Sequence, residues 1–192
     1  MDQVLQAIRE RRSVRRFGPD PVDDATIDVL LDAAIWAPSA VNAQPWTFGV
    51  IRDRALLARY AESAKAMYLA DPPVSEIAAT AEPTLQHLRE VLSQPGYDVF
   101  HGASTLVTIY ANTARDVPDC YLAAENLMLA AFASGLGTCP IGLSLPLMNQ
   151  RDVKRELEVP VNFVAALPIV VGYPAEHPQT TARASPRVLY RR

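Results

Sequence analysis

The chain has 192 residues, 49 % of them hydrophobic and 20 % charged, with a formal net charge of −3 and a pI near 5.6. A chain of this size buries roughly 70 % of its unfolded surface, so one globular unit over residues 1–192 is expected, and its composition marks no segment as disordered. The acidic pI argues against general nucleic-acid binding, and Asp2, Arg9 and Glu10 interrupt the only short apolar stretch at the N-terminus, which argues against a secretory signal.

Asp2 to about Arg11 reads as a short helix, with Val4, Leu5 and Ile8 on one face and Asp2 as its cap. Asp23 opens a second helix, in which Ile27, Leu30, Leu31, Ala34 and Ile35 form one buried stripe, and Pro38 stops it. Trp46 to Ile51 suits a strand, and Ala55 to Lys65 returns to helical spacing before a break at Asp71-Pro72-Pro73. From Val74 to Ser93 the spacing of Ile77, Ala81, Leu85, Leu88 and Leu92 predicts helix, with Pro83 as a kink or a boundary. Ser104 to Tyr110 is an inner strand. Asp119 to Ser134, apolar on almost every side, is a helix packed on more than one face, and its length together with Asp119, Glu125 and Asn126 disfavours a membrane span. Gly135 closes it. Val153 to Leu157 gives a short helix, and Phe163 to Val171 a buried strand interrupted by Pro168. From Gly172 the chain turns Pro- and Thr-rich, with too little apolar content to fold by itself.

Two cysteines, Cys120 and Cys139, suit neither a disulfide scaffold nor a metal or redox pair, and both read as reduced. His87, His101 and His177 stand far apart without carboxylates at ligand spacing, so no metal is expected. The densest chemical signal lies from Arg9 to Arg16, where five arginines fall in eight residues around Ser13. Such a run is either a solvated basic turn or a grip for a phosphate, since guanidinium forks and a hydroxyl donate to the same oxygens. Further on comes Ala37-Pro38-Ser39-Ala40-Val41-Asn42-Ala43-Gln44-Pro45-Trp46, a loop rich in prolyl, small and amide residues that leads into the first strand. Read locally, Pro38 and Asn42 are turn residues, Gln44 ties the turn and Trp46 fills core.

Taken together, Arg-Arg-Ser-x-Arg-x-Phe and Ala-Pro-Ser-x-x-Asn-x-Gln-Pro-Trp resemble the nitroreductase family of FMN-dependent oxidoreductases. Glu125-Asn126-Leu127, the Gly135 to Gly142 segment, and Gly172-Tyr173-Pro174 before a basic C-terminus agree with it. The likeness is loose only between about Asp53 and Gly96. It implies an α+β fold, with an α/β/α arrangement around a mostly antiparallel sheet, in a cytoplasmic intertwined homodimer whose extension from about residue 173 wraps onto the partner.

The resemblance also implies a site. Arg11, Arg12 and Ser13 match positions around the FMN phosphate and ribityl chain, and Arg15 matches the cation near flavin N1 and O2. Pro38, Ser39, Ala40 and Asn42 match a loop that reaches the cofactor from the partner subunit. Pro140, Ile141, Gly142 and Leu143 match the segment beside flavin N5 and O4, although the same residues read locally as a turn before a strand. Arg183 matches a C-terminal basic residue at the phosphate. The chain departs from many relatives at Thr181, where they carry a second basic residue, and among Tyr97, Asp98 and His101, which offer no clear match to a polar contact with the flavin pyrimidine. The implied activity is electron transfer from NADH or NADPH to a small-molecule acceptor such as a nitroaromatic or quinone, with no obligatory acid or base side chain. Relatives on the same scaffold serve dehalogenation, dehydrogenation and flavin destruction, and a flavin-binding protein without turnover is a further alternative. The chain lacks a Gly-x-Gly-x-x-Gly strand-helix unit, so donor and acceptor are expected to use one cleft in turn.

Overall fold

The computed structural model describes residues 3–70, 82–179 and 181–192. The Asp2 cap, the Asp71-Pro72-Pro73 break, and Ile77 and Ala81 therefore lie outside the described residues. The helices are α1 (Gln3–Glu10), α2 (Asp24–Ile35), α3 (Arg54–Ala70), α4 (Glu82–Leu92), α5 (Val117–Ala133), α6 (Leu145–Met148) and α7 (Arg151–Glu156). The strands are β1 (Trp46–Ile51), β2 (Thr105–Ala111), β3 (Gly137–Pro140) and β4 (Val164–Gly172).

The strands form one sheet in the order β1-β2-β4-β3, and each neighbouring pair is antiparallel. A sheet with apolar residues on both faces must be covered twice, and the side chains divide accordingly. On one face Ile27, Leu30 and Ala34 of α2 and Ala123, Leu127 and Ala131 of α5 pack on Val107, Ile109, Ile169 and Val171. On the other, Leu57, Tyr60 and Ala64 of α3 and Met148 of α6 pack on Leu106, Tyr110 and Val170. The α/β/α arrangement thus follows from β2 and β4, whose alternate residues feed opposite cores. Among the described residues no helix is long and apolar enough to cross a membrane.

Local chemistry explains most element ends. Asp23 caps α2 by accepting from Thr26 N at 2.8 Å, and this contact draws the carboxyl below its ordinary value. Of the expected stripe on this helix, Ile27, Leu30 and Ala34 are buried, whereas Ile35 is exposed. Gly135, at φ +75°, ends α5, and the Leu136 N–H returns to Ala131 O at 2.8 Å.

Two expectations are corrected. Pro168 does not interrupt its strand: β4 continues through it opposite Thr108, and the register shift beyond Ile109 bends the pair. The carbonyl of Pro168 is used, accepting from Ile141 N at 2.8 Å. Proline is tolerated in a sheet beside such irregularities, where its missing N–H disturbs the ladder least. The turn read locally at Pro140 to Gly142 is likewise different, since Pro140 ends a strand and the turn from Gly142 leads into α6 and not into a strand. Gly137 to Pro140 is the edge strand β3, which the sequence concealed because it is short and bounded by Gly and Pro.

The arginine-rich segment lies along that edge. Ser13 bridges Thr138 in parallel, Val14 N donates to Thr138 O at 2.9 Å, and Gly18 N donates to Tyr173 O at 2.8 Å. Gly137 permits this approach, because an added Cβ would lie 2.7 Å from Val14 Cγ2. Val14 is buried and its backbone is bonded, so it has little room to retreat. Gly137→Ala is expected to cost about 1–3 kcal/mol through overpacking, read as a lower urea midpoint at unchanged slope. An unchanged midpoint would show that the segment is not seated on β3.

Candidate functional site

Docking against β3 extends residues 12–15, and an extended chain sends alternate side chains to opposite sides. Arg12 and Val14 line a cavity of 150 Å³ with Glu10, Phe132, Leu136 and His177. Arg12 Nη1 also donates to Arg9 O at 2.7 Å and Arg11 O at 2.6 Å, so its guanidinium holds the end of α1. The other side carries Ser13 and Arg15. Both act on the buried Cys139 of β3: burial pushes this thiol up, and the Arg15 charge, the Ser13 hydroxyl and the Arg11 charge pull it back.

Arg11 follows α1 directly. Its side chain is 21 % exposed, and Nε stands 3.7 Å from Glu125 Oε1 on α5, beyond hydrogen-bond reach. Nε and Nη1 of Arg11, with Nε of Arg12, are buried without a hydrogen-bond partner. A buried guanidinium N–H that makes no bond is costly, and five donors in one plane match the oxygens of a phosphate. The donor set therefore fits an anionic group at this point.

The loop before β2 supplies two further neighbours of Arg15. The Asp98 carboxylate accepts from Phe100 N and Gly102 N, each at 2.8 Å, while Val99 and Phe100 anchor in the core. This leaves Tyr97 and His101 half-buried and edge to face, with ring centroids 6.2 Å apart. Burial raises the Tyr97 phenol, against the Arg15 charge. Burial and then the same charge lower the His101 imidazole, against Asp98. Sequence reading left these residues unmatched. Their signal was an Asx turn with an exposed-side aromatic pair, which has no fixed motif.

At the end of β3 the chain enters a 3-10 turn over Gly142–Ser144 that no side chain caps. The Ile141 N–H is spent on Pro168 O, and the Ile141 side chain is buried. Backbone donation from this segment thus falls to Gly142 and Leu143 rather than Ile141. Open space surrounds the place of a Cβ on Gly142, so a planar group has room to approach the backbone there.

The Pro38 to Gln44 loop is held from inside and from α5. Gln44 N donates to Ser39 Oγ at 2.9 Å, and Ala40 N to Asp119 Oδ2 at 3.2 Å. Val41, Asn42 and Gln44 have φ of 48°, 56° and 47°. Left-handed geometry is ordinary for Asn but costly for β-branched Val, whose side chain is 99 % exposed. Pro38, Asn42 and Gln44 line a cleft with Ile35 and Trp36, and Trp46 is buried. Arg183 lies in the exposed tail and donates to Thr181 Oγ1 at 2.8 Å.

Sheet, cover helices and cationic edge define an α+β fold with a cluster of arginines between its N-terminal segment and β3. The family model described as "Nitroreductase family" matches residues 8–173, and the chain belongs to that family. A curated protein of Methanothermobacter thermautotrophicus, named a putative NADH dehydrogenase/NAD(P)H nitroreductase, is 32 % identical over 92 % of this chain and 80 % of its own. A 5,6-dimethylbenzimidazole synthase of Rhodospirillum rubrum is 30 % identical over 88 % of this chain and 81 % of its own. In fold, a nitroreductase with bound FMN from Bacteroides fragilis superposes with a TM-score of 0.79, at 24 % identity, over 100 % of this chain and 98 % of its own.

Proposed function

We propose that this chain is an FMN-dependent oxidoreductase that takes electrons from NADH or NADPH and passes them to a small open-faced acceptor, a nitroaromatic or a quinone. The observation that carries this reading is the pair of buried guanidinium atoms on Arg11 that make no hydrogen bond, beside Ser13 on the edge of a nitroreductase fold. Arg11 and Ser13 would hold the phosphate, with Arg12 fixing the segment through its bonds to the end of α1. Arg15 would stand by the pyrimidine edge with Tyr97 and His101, and Pro140, Gly142 and Leu143 by the reactive nitrogen. FMN supplies a two-electron carrier that accepts hydride and returns it. The protein contributes position and charge: Arg15 favours negative charge that develops near it, and the raised Cys139 thiol remains neutral beside it. Donor and acceptor share one cleft, which gives ping-pong kinetics.

The site is completed by a second copy of the chain. Leu5, Ile8, Val29, Trp36 and Val41 are exposed, Trp36 by 78 %, and a partner seated on α1, α2 and the loop after it would take these side chains out of water. Pro38, Ser39, Ala40 and Asn42 of one protomer would then reach the cofactor of the other. The exposed tail from about residue 173, with Val188, Leu189 and Tyr190, would wrap onto the partner and bring Arg183 to the phosphate.

A second reading keeps cofactor and fold and changes the chemistry, favoured by the match to the 5,6-dimethylbenzimidazole synthase. Anaerobic spectroscopy of the purified protein separates the two. Yellow protein whose heat-released cofactor runs as FMN, bleached by NADH or NADPH and reoxidised by a quinone, supports the first. FMN-loaded protein that neither nicotinamide bleaches supports the second, and protein that takes up no FMN overturns both.

A further inference from the structure

The sheet face that carries α3 and α6 holds a cavity of 110 Å³ between β1, β2 and the segment after α7, lined by Gly49, Val50, Thr108, Tyr110, Met148 and Val159 among others. None of its lining residues belongs to the arginine cluster or to the Gly142 turn. Two of them carry hydroxyls. Thr108 and Tyr110 are two positions apart on β2 and so share a face, each is 1 % exposed, and neither Thr108 Oγ1 nor Tyr110 Oη has a hydrogen-bond partner. Gly49 on the neighbouring strand accounts for the fit of the ring, since an added Cβ would stand 3.2 Å from Tyr110 Cε2.

Buried hydroxyls without partners are costly, and here two are placed on one wall of a cavity whose other lining side chains are apolar. No lining residue is charged. An ion entering would lose its hydration without gaining a counter-charge, so the chemistry selects a neutral molecule. Burial pushes the Tyr110 phenol up to about 12, and the Thr108 hydroxyl stands near enough to act the other way without reaching hydrogen-bond geometry, so the phenol stays protonated at neutral pH and the two hydroxyls point to one place. Size sets the upper limit. An engineered protein cavity of about 150 Å³ takes benzene, and this one, at 110 Å³, is of the same order, so that limit is a single small ring.

We propose that this cavity binds a small neutral molecule with one hydroxyl or carbonyl on a compact apolar body, phenol-sized or smaller, at a site separate from the arginine cluster. Thr108 and Tyr110 give and receive its hydrogen bonds, while Ile51, Met148 and Val159 enclose its apolar part. The proposal does not depend on the cofactor reading.

The test is a titration of the full chain as purified with phenol, toluene and benzoate in turn, following the backbone amides of Gly49, Val50 and Tyr110 by NMR. Phenol is expected to shift them saturably in the millimolar range, with toluene weaker by about tenfold and benzoate without effect, the margin of one good hydrogen bond. Thr108→Val keeps the branched shape and removes the hydroxyl, and Tyr110→Phe keeps the ring. Each is expected to weaken phenol by about tenfold while leaving toluene unchanged. Should Tyr110→Phe fail to fold, Thr108→Val carries the test alone. Shifts that never saturate, benzoate binding as well as phenol, or phenol binding equally to Thr108→Val and wild type would each overturn the proposal.

Discussion

Replacing Arg11 with Ala is expected to weaken FMN binding roughly 10- to 150-fold, the loss of one charge-assisted contact of about 1.5–3 kcal/mol. The same substitution should leave the cofactor-free protein as stable as wild type or slightly more so. Two nitrogen atoms of this guanidinium are buried without a hydrogen-bond partner, so the free protein sheds an unmet desolvation cost and loses only the 3.7 Å ion pair with Glu125, which is half exposed and can turn to water. The two expectations separate a binding role from a structural one. Thermal unfolding with and without saturating FMN checks both: the FMN-induced rise in Tm shrinks in the variant, while the cofactor-free Tm does not fall. An unchanged FMN affinity would remove Arg11 from the phosphate site.

The second large effect is expected at Arg15, where it appears in the potential rather than in affinity. If the cofactor gains negative charge on reduction beside this cation, Arg15→Ala removes a contact worth about 1.5–3 kcal/mol to the reduced form alone, which over two electrons lowers the potential by roughly 30–65 mV. Reduction by NADH or NADPH should slow accordingly. Arg15 is exposed and its segment is held by backbone bonds of Val14 and Gly18, so the fold should survive. Arg115→Ala, an exposed arginine in the turn before α5, serves as control. Equal potentials for wild type and Arg15→Ala, both fully loaded with FMN, would show that this arginine lies elsewhere in the site.

Trp46 to Ile51 was readable as a strand with its observed bounds, because β-branched and aromatic residues there lie between clear breakers. Helix α2 was readable from its Asp23 cap, and the end of α5 from Gly135, since both signals act within a few residues. The start of α5 was placed two residues late, at Asp119 instead of Val117, because Pro118 reads as a breaker in sequence but is tolerated in a first helical turn. β3 was missed: four residues with one Gly and one Pro carry no period, and only pairing with β4 makes them a strand.

The sequence by itself determined the elements whose signals are local, and the family, whose motifs are contiguous and whose likeness implied the α/β/α arrangement. It also named Arg11, Ser13, Arg15 and Gly142 as residues with chemistry to perform. Only the tertiary structure decided how they are shared out. Pairing of residues 13–14 with β3 set the alternation that turns Arg12 away from Ser13 and Arg15 and put Arg15 near Cys139, a bond to β4 consumed the Ile141 N–H, and the loop before β2 brought Tyr97 and His101 within the field of Arg15. Spacing along a chain records the period of one element, whereas the side a residue faces depends on a register with segments more than a hundred residues away, such as Ser13 with Thr138.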